Sequence, residues 1–185
     1  MEALLVSTGV VALAEIGDKT QLLALLLAAR FRAPWPIVLG IFVATLANHA
    51  LASAAGAWLM KLLGPDAMRW ILGVSFLLMA AWTLVPDSAP EQASAPPRHG
   101  VFLATLVAFF LVEMGDKTQI ATVALAAQFP SIVWVVVGTT LGMLLANVPV
   151  VFAGEALLRR VPMKVIRYVA AAGFAALGLY AFIAG

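Results

Sequence analysis

The sequence predicts an all-α integral membrane protein whose six transmembrane helices form two inverted three-helix repeats. Three observations lead there: a composition too apolar for a water-facing surface, six apolar stretches of span length, and an acidic motif that recurs 98 residues further on. Of 185 residues, 64% are hydrophobic and 11% charged, whereas soluble domains run at about 45–50% apolar and about 25% charged. The mean hydropathy is +1.05. A soluble globular domain is excluded on these grounds.

A helical span needs about 20 mostly apolar residues. The sequence offers six, at 3–29, 36–60, 67–85, 101–128, 132–157 and 164–184. A β-barrel would alternate in short segments. Here Leu22–Ala29 and Val133–Val137 are unbroken apolar runs, and the abundant Ala and Leu favour helix. The first stretch has no basic segment before it, so it is read as a retained span and not a cleaved leader.

The breaks between spans are legible. Arg30, Arg32, Pro34 and Pro36 separate the first two, and Gly64-Pro65-Asp66 the next two. Residues 86–99 hold four prolines in fourteen positions and predict a flexible cytoplasmic linker between a first repeat, 1–85, and a second, 100–185. Phe129-Pro130-Ser131 is a turn, and Arg159, Arg160 and Pro162 mark the last connection. Loops after spans one, three and five carry Arg30, Arg32, Arg98, Arg159, Arg160, Lys164 and Arg167, against Lys61 and Arg69 opposite. Seven against two orients the first group to the cytoplasm and both termini outside.

Leu13–Phe31 aligns with Leu111–Phe129, with eleven of nineteen positions identical. At its centre Glu15-Ile16-Gly17-Asp18-Lys19-Thr20-Gln21 matches Glu113-Met114-Gly115-Asp116-Lys117-Thr118-Gln119. Leu46-Ala47-Asn48 resembles Leu145-Ala146-Asn147 at offset 99, which implies one inserted residue. Three spans per unit is an odd number, so the second unit enters the membrane from the other side, with a pseudo-two-fold axis in the membrane plane. Both motifs then sit near mid-bilayer. An Asp or Lys there costs about 2.5–3.5 kcal/mol on insertion scales. Concentrating six of the twenty charged residues at that depth points to function.

On a continuous helix Glu15, Asp18 and Lys19 share one face, with Gln21 flanking and Thr20 pointing elsewhere; the second copy repeats this. Gly17 and Gly115 either admit a neighbouring backbone or break the helix and free carbonyls as ligands. Four carboxylates and two lysines leave −2, which a dication or two protons neutralises. Carboxylate, amide and carbonyl oxygens suit Mg, Ca and Mn. There is no Cys, which excludes thiolate chemistry, and there are two His.

The doubled E-x-G-D-K-T motif, in two three-span halves, closely resembles the small cation-exchanger family of the Golgi manganese/calcium transporters, whose bacterial members include manganese exporters of the MneA type. The resemblance covers nearly the whole chain. It implies a six-span bundle carrying Mn²⁺, or in some members Ca²⁺, in exchange for protons, with Glu15, Asp18, Glu113 and Asp116 as the acidic site. No organelle-targeting extension is seen, which fits a bacterial inner-membrane protein with no prosthetic group.

The supporting residues read as follows. Lys19 and Lys117 hold their neighbouring carboxylates in place or stand in for the cation in the empty state. Gln21 and Gln119 are ligands or hold ligands. Thr20 and Thr118 are interhelical hydrogen-bonding groups. Asn48 and Asn147 add neutral oxygens or bond between helices. His49 reads as a satisfied interior histidine, Met114 and Met143 as packing, and Pro149 as a kink in the fifth span that could serve a gate. Trp35, Trp58, Trp70, Trp82 and Trp134 fit an interfacial belt. The partners are a divalent ion, protons and lipid; nucleic acid is not among them, and a homo-oligomer is compatible. Other readings are an exporter of a cationic organic solute resembling the LysE type and a passive cation channel. An enzyme is disfavoured, because no hydrolytic constellation or phosphate loop is present.

Overall fold

A computed structural model describes residues 1–85, 100–154 and 163–183. The expected linker 86–99, and the connection holding Arg159, Arg160 and Pro162, lie outside the described residues. Those residues form seven helices and no strand: α1 (Glu2–Glu15), α2 (Lys19–Phe31), α3 (Pro34–Thr83), α4 (Gly100–Glu113), α5 (Lys117–Gln128), α6 (Ile132–Ala153) and α7 (Met163–Ile183).

The stretches at 3–29 and 101–128 are not continuous helices. Each is a pair of half-helices, α1 with α2 and α4 with α5, and the break falls inside the acidic motif. Gly17 (φ 84) and Gly115 (φ 78) take up the left-handed conformation that interrupts the helix. Open space surrounds the position of an added Cβ at Gly115. The break, and not a close helix approach, is therefore the reason for glycine. No half-helix exceeds 14 residues, about 21 Å at 1.5 Å per residue and short of a hydrocarbon core about 30 Å thick. Three described helices are long and apolar enough to cross a membrane: α3, α6 and α7 over Lys164–Ile183. α3 covers the expected span at 36–60 and all but the last two residues of that at 67–85, with non-helical backbone at Gly64 where a turn was expected.

The distribution of polarity is inverted relative to a water-soluble protein. Buried positions include Ser7, Glu15, Asp18, Thr20, Thr45, Asn48, His49, Glu113, Asp116 and Lys117, while Leu5, Leu51, Leu78 and Val133 are exposed. An apolar exterior with polar and charged groups turned inward is what lipid as solvent demands. All five tryptophans lie on the exterior, in keeping with a belt.

The two repeats pack through equivalent contacts exchanged between halves. A Cβ on Gly40 of α3 would lie 2.7 Å from Thr105 Cβ and 2.9 Å from the Phe102 carbonyl on α4. A Cβ on Gly138 of α6 would lie 2.9 Å from Ser7 Cβ and 2.7 Å from the Leu4 carbonyl on α1. Every residue in the second set is displaced by 98 from its counterpart in the first. Phe76 and Phe174, also 98 apart, stack on each other with ring centroids 6.3 Å apart. One core cluster joins Met68, Leu72 and Phe76 of α3 to Ala121 and Ala124 of α5 and Phe174 of α7. A second joins Val11, Leu23, Ile41, Phe109 and Met143.

Gly56 offers a test of this packing. A Cβ there would lie 2.1 Å from the Val123 carbonyl of α5, whereas one on Gly9 meets nothing within 4 Å. Gly56→Ala is expected to force α3 and α5 apart and lower the melting temperature of the detergent-solubilised protein. Gly9→Ala should hold or raise it, since Ala in a helix interior is favoured over Gly by about 1 kcal/mol.

Candidate metal centre

Each acidic motif folds by a local logic that places its side chains. The chain leaves α1 at Glu15, turns at Gly17, and re-enters helix at Lys19 with Asp18 extended as N-cap (φ −83, ψ 169). Asp18 Oδ1 accepts from the Lys19 amide at 2.9 Å. Gln21 reaches back so that its Oε1 accepts from the Gly17 amide at 2.8 Å, a variant of the reciprocal capping box. The second copy repeats this frame: Gln119 Oε1 accepts from the Gly115 amide at 2.7 Å. Thr20 Oγ1 donates to Glu15 Oε2, and Thr118 Oγ1 donates to Glu113 Oε1. These threonines, expected to bond between helices and to point away from the acidic face, instead tie each glutamate to the first turn of the next half-helix. The helix break makes the difference, because it cancels the angular relationship a continuous helix would impose. The positive end of a half-helix dipole also favours an anion there.

The repeats then meet. Oxygen atoms of Glu15, Glu113 and Asp116, all buried, lie within 4.8 Å of one another. Among the described residues Glu15 Oε1, Glu113 Oε2 and Asp116 Oδ2 have no hydrogen-bond donor. The two lysines cross over. Lys117 Nζ lies 3.0 Å from Asp18 Oδ1, and Lys19 Nζ 3.1 Å from Asp116 Oδ1, the latter an ion pair by distance but out of line for a hydrogen bond. Each lysine was expected to hold an acid of its own motif; each instead holds the aspartate of the other. The lysine thus welds the halves together.

The copies differ at the aspartates. Asp18 caps α2 and faces Lys117, and it stands apart from the converging trio. Asp116 makes no side-chain cap bond to α5 and joins the two glutamates. Beside Asp18 a cavity of about 10 Å³ is lined by Gly17, Asp18, Thr83, Lys117 and Arg167, room for about one water molecule. Arg167 was counted with the basic loops. It lies instead within α7 beside the first motif.

Neutral groups complete the surroundings. Asn147 Nδ2 lies 3.3 Å from Glu15 Oε2 and donates to the Met143 carbonyl at 3.1 Å, with Met143 Sδ at 3.0 Å. Met143 therefore orients a site residue as well as packing. Met114 does not pack: it is 56% exposed. Gln21 Nε2 donates to the Ala146 carbonyl at 2.9 Å. Its counterpart Gln119 Nε2 contacts Asn48 Oδ1 at 3.4 Å, and Asn48 Nδ2 donates to the Phe110 carbonyl at 3.0 Å. Asn48 is thus an interhelical group, and the register of these contacts is 98, with no inserted residue. Position 49, not 48, corresponds to Asn147. His49 Nε2 lies 3.7 Å from Glu113 Oε1, as Asn147 lies against Glu15. His49 was expected to be satisfied, yet neither ring nitrogen has a hydrogen-bond partner among the described residues. The repeated Leu-Ala-Asn triplet concealed this register; the glycine pair at 40 and 138 carries it. Pro149 lies within α6, which runs on to Ala153.

A family model described as "Divalent cation/proton antiporter GDT1" matches residues 3–91 and 101–185. The chain belongs to the GDT1 family. A Vibrio cholerae protein named "Putative manganese exporter" is 54% identical over 180 residues, covering 97% of this chain and 90% of the relative. A GDT1-like protein 3 of Oryza sativa is 27% identical, covering 89% of the chain and 68% of its own length. The GDT1-like protein sll0615 of Synechocystis is 29% identical, covering 84% of each. No solved structure matches the chain. GDT1 membership makes the chain a membrane transporter that exchanges a divalent cation for protons, with helices of the apolarity such a role requires.

The crossed pairs give a direct test. Lys117 and Asp18 are both buried, and removing one member of a buried pair costs about 3–5 kcal/mol. Lys117→Met should therefore destabilise the purified protein strongly, and adding Asp18→Asn should recover much of the loss. Lys19 keeps 27% side-chain exposure, so Lys19→Met should cost less. Thermal unfolding in detergent, arranged as a double-mutant cycle, measures all three.

Proposed function

We propose that this GDT1 antiporter exports Mn²⁺ in exchange for protons across a bacterial inner membrane. The observation that carries the reading is the convergence of Glu15, Glu113 and Asp116, drawn from both repeats into one buried cluster. Lys19 offsets Asp116, and the two glutamates leave −2. A dication or two protons balances that charge, which is the arithmetic of exchange. Carboxylate oxygens without donors in a buried setting demand a counter-charge, because an uncompensated buried charge costs several kcal/mol. The donor set is rich in oxygen, as a hard dication prefers, and the Vibrio cholerae relative bears a manganese exporter's name.

In this reading the chain crosses the membrane six times as two inverted repeats, with both termini outside the cytoplasm. The contacts exchanged at an offset of 98 support that symmetry. The broken first and fourth spans supply the half-helix ends that inverted-repeat transporters place around their cargo. Glu15, Glu113 and Asp116 ligate the ion. Asp18 takes the place of Asp116 when the halves rock, Lys19 and Lys117 exchanging duties with them. Asn147 supplies a neutral oxygen. Gly17 and Gly115 hold the breaks open, and Thr20, Thr118, Gln21 and Gln119 fix the carboxylates and the turns.

In proteoliposomes, a proton gradient should drive Mn²⁺ against its own gradient. Glu15→Gln or Glu113→Gln should reduce that flux by about a hundredfold or more, the loss of one charge-neutralising ligand in a low-dielectric site, with protein amount and melting temperature matched to the parent. Flux that persists in the Glu15→Gln/Glu113→Gln double variant would remove the cluster from the transport path.

A further inference from the structure

His49 belongs to neither acidic motif, yet it faces their meeting point. Its side chain is wholly buried, and Nε2 lies 3.7 Å from Glu113 Oε1, too far for a hydrogen bond. Neither ring nitrogen finds a partner among the described residues. A neutral imidazole carries one donor and one acceptor, and buried polar atoms are nearly always satisfied. An acceptor nitrogen left bare beside Glu113, one of the three clustered carboxylates, is a ligand position.

The repeat supports this placement independently. His49 stands 98 residues before Asn147, in the register that also relates Gly40 to Gly138. Asn147 sits against Glu15 and has an Oδ1 without a partner. Each half therefore sets one neutral side chain with a bare acceptor against the glutamate of the other half. In the second half that atom is an amide oxygen; in the first it is an imidazole nitrogen.

Oxygen and nitrogen donors do not treat cations alike. Ca²⁺ takes six to eight oxygen ligands, whereas imidazole suits Zn, Cu, Fe and Ni, and Mn²⁺, at the hard end of the same row, still accepts a nitrogen more readily than Ca²⁺ does. We infer that His49 Nε2 ligates the transported ion and that this one nitrogen biases the carboxylate site toward a transition-metal dication and against calcium. The inference rests on the cation reading of the cluster proposed above.

Two measurements test it on the full-length protein. Pulsed electron paramagnetic resonance of the purified protein loaded with Mn²⁺ should show imidazole ¹⁴N modulation, absent from His49→Gln and His49→Asn. Bound Mn²⁺ without that modulation in the parent protein overturns the role of His49 and leaves the carboxylate site standing. No bound Mn²⁺ at all sinks both. In proteoliposomes, Ca²⁺ should compete with Mn²⁺ about tenfold better in His49→Gln, where an oxygen replaces the nitrogen, than in the parent. An unchanged competition ratio, or an equal loss of transport for both ions, overturns the inference. The His49→Asn variant guards against misfolding of a single substitution, since the spectroscopic readout on the parent needs no variant to fold.

Discussion

Lipid cannot solvate a charge, and the architecture of this protein follows from that constraint. Five of the six ionisable side chains of the two motifs are buried, so the chain must supply partners from within. It does so by crossing the repeats. Lys19 reaches Asp116 and Lys117 reaches Asp18, and neither half can satisfy its own charges without the other. Leu, Val and Trp face the exterior, while Thr, Asn, His and acid are turned inward among the apolar core. The charges therefore do two tasks at once: they hold the halves in register, and they leave a deficit of positive charge at one point.

The motif is also a folding instruction. Glycine stops the helix by taking a left-handed turn, aspartate opens the next helix by capping it, glutamine closes the turn by accepting from the glycine amide, and threonine ties the glutamate to the new helix. Lysine reaches across to the acid of the other motif, and glutamine adds a neutral contact to the other half. Nearly every residue of Glu-x-Gly-Asp-Lys-Thr-Gln thus has a structural assignment. The unassigned second position is half-buried Ile16 in one copy and exposed Met114 in the other, and nothing in the structure explains that choice.

The asymmetry of the copies is informative against this repeated frame. Asp18 caps its helix and Asp116 does not; Arg167 of α7 lies beside the first motif; His49 faces one glutamate where Asn147 faces the other. Some of these differences are written in the sequence, as His against Asn. The difference between the aspartates is conformational, since the residues are identical. An antiporter needs two states of unequal geometry, and a repeat whose identical residues adopt different roles within a single structure has the means to supply them.

The sequence by itself determined the lipid-facing character, the helical class, the repeat and the identity of the acids, because each follows from composition, run length or direct identity at a fixed offset. Two acidic copies in apolar surroundings, and the family they resemble, also carried the function. What only the tertiary structure decided was how the copies meet. Whether glycine breaks the helix depends on its backbone angles, and residue spacing on an assumed continuous helix misplaced Thr20 for that reason. Which lysine pairs with which aspartate, whether Asp18 or Asp116 joins the glutamates, and whether position 48 or 49 faces the site are questions of contact between segments about a hundred residues apart. Such contacts are fixed by packing of the whole bundle, and no local pattern along the chain encodes them.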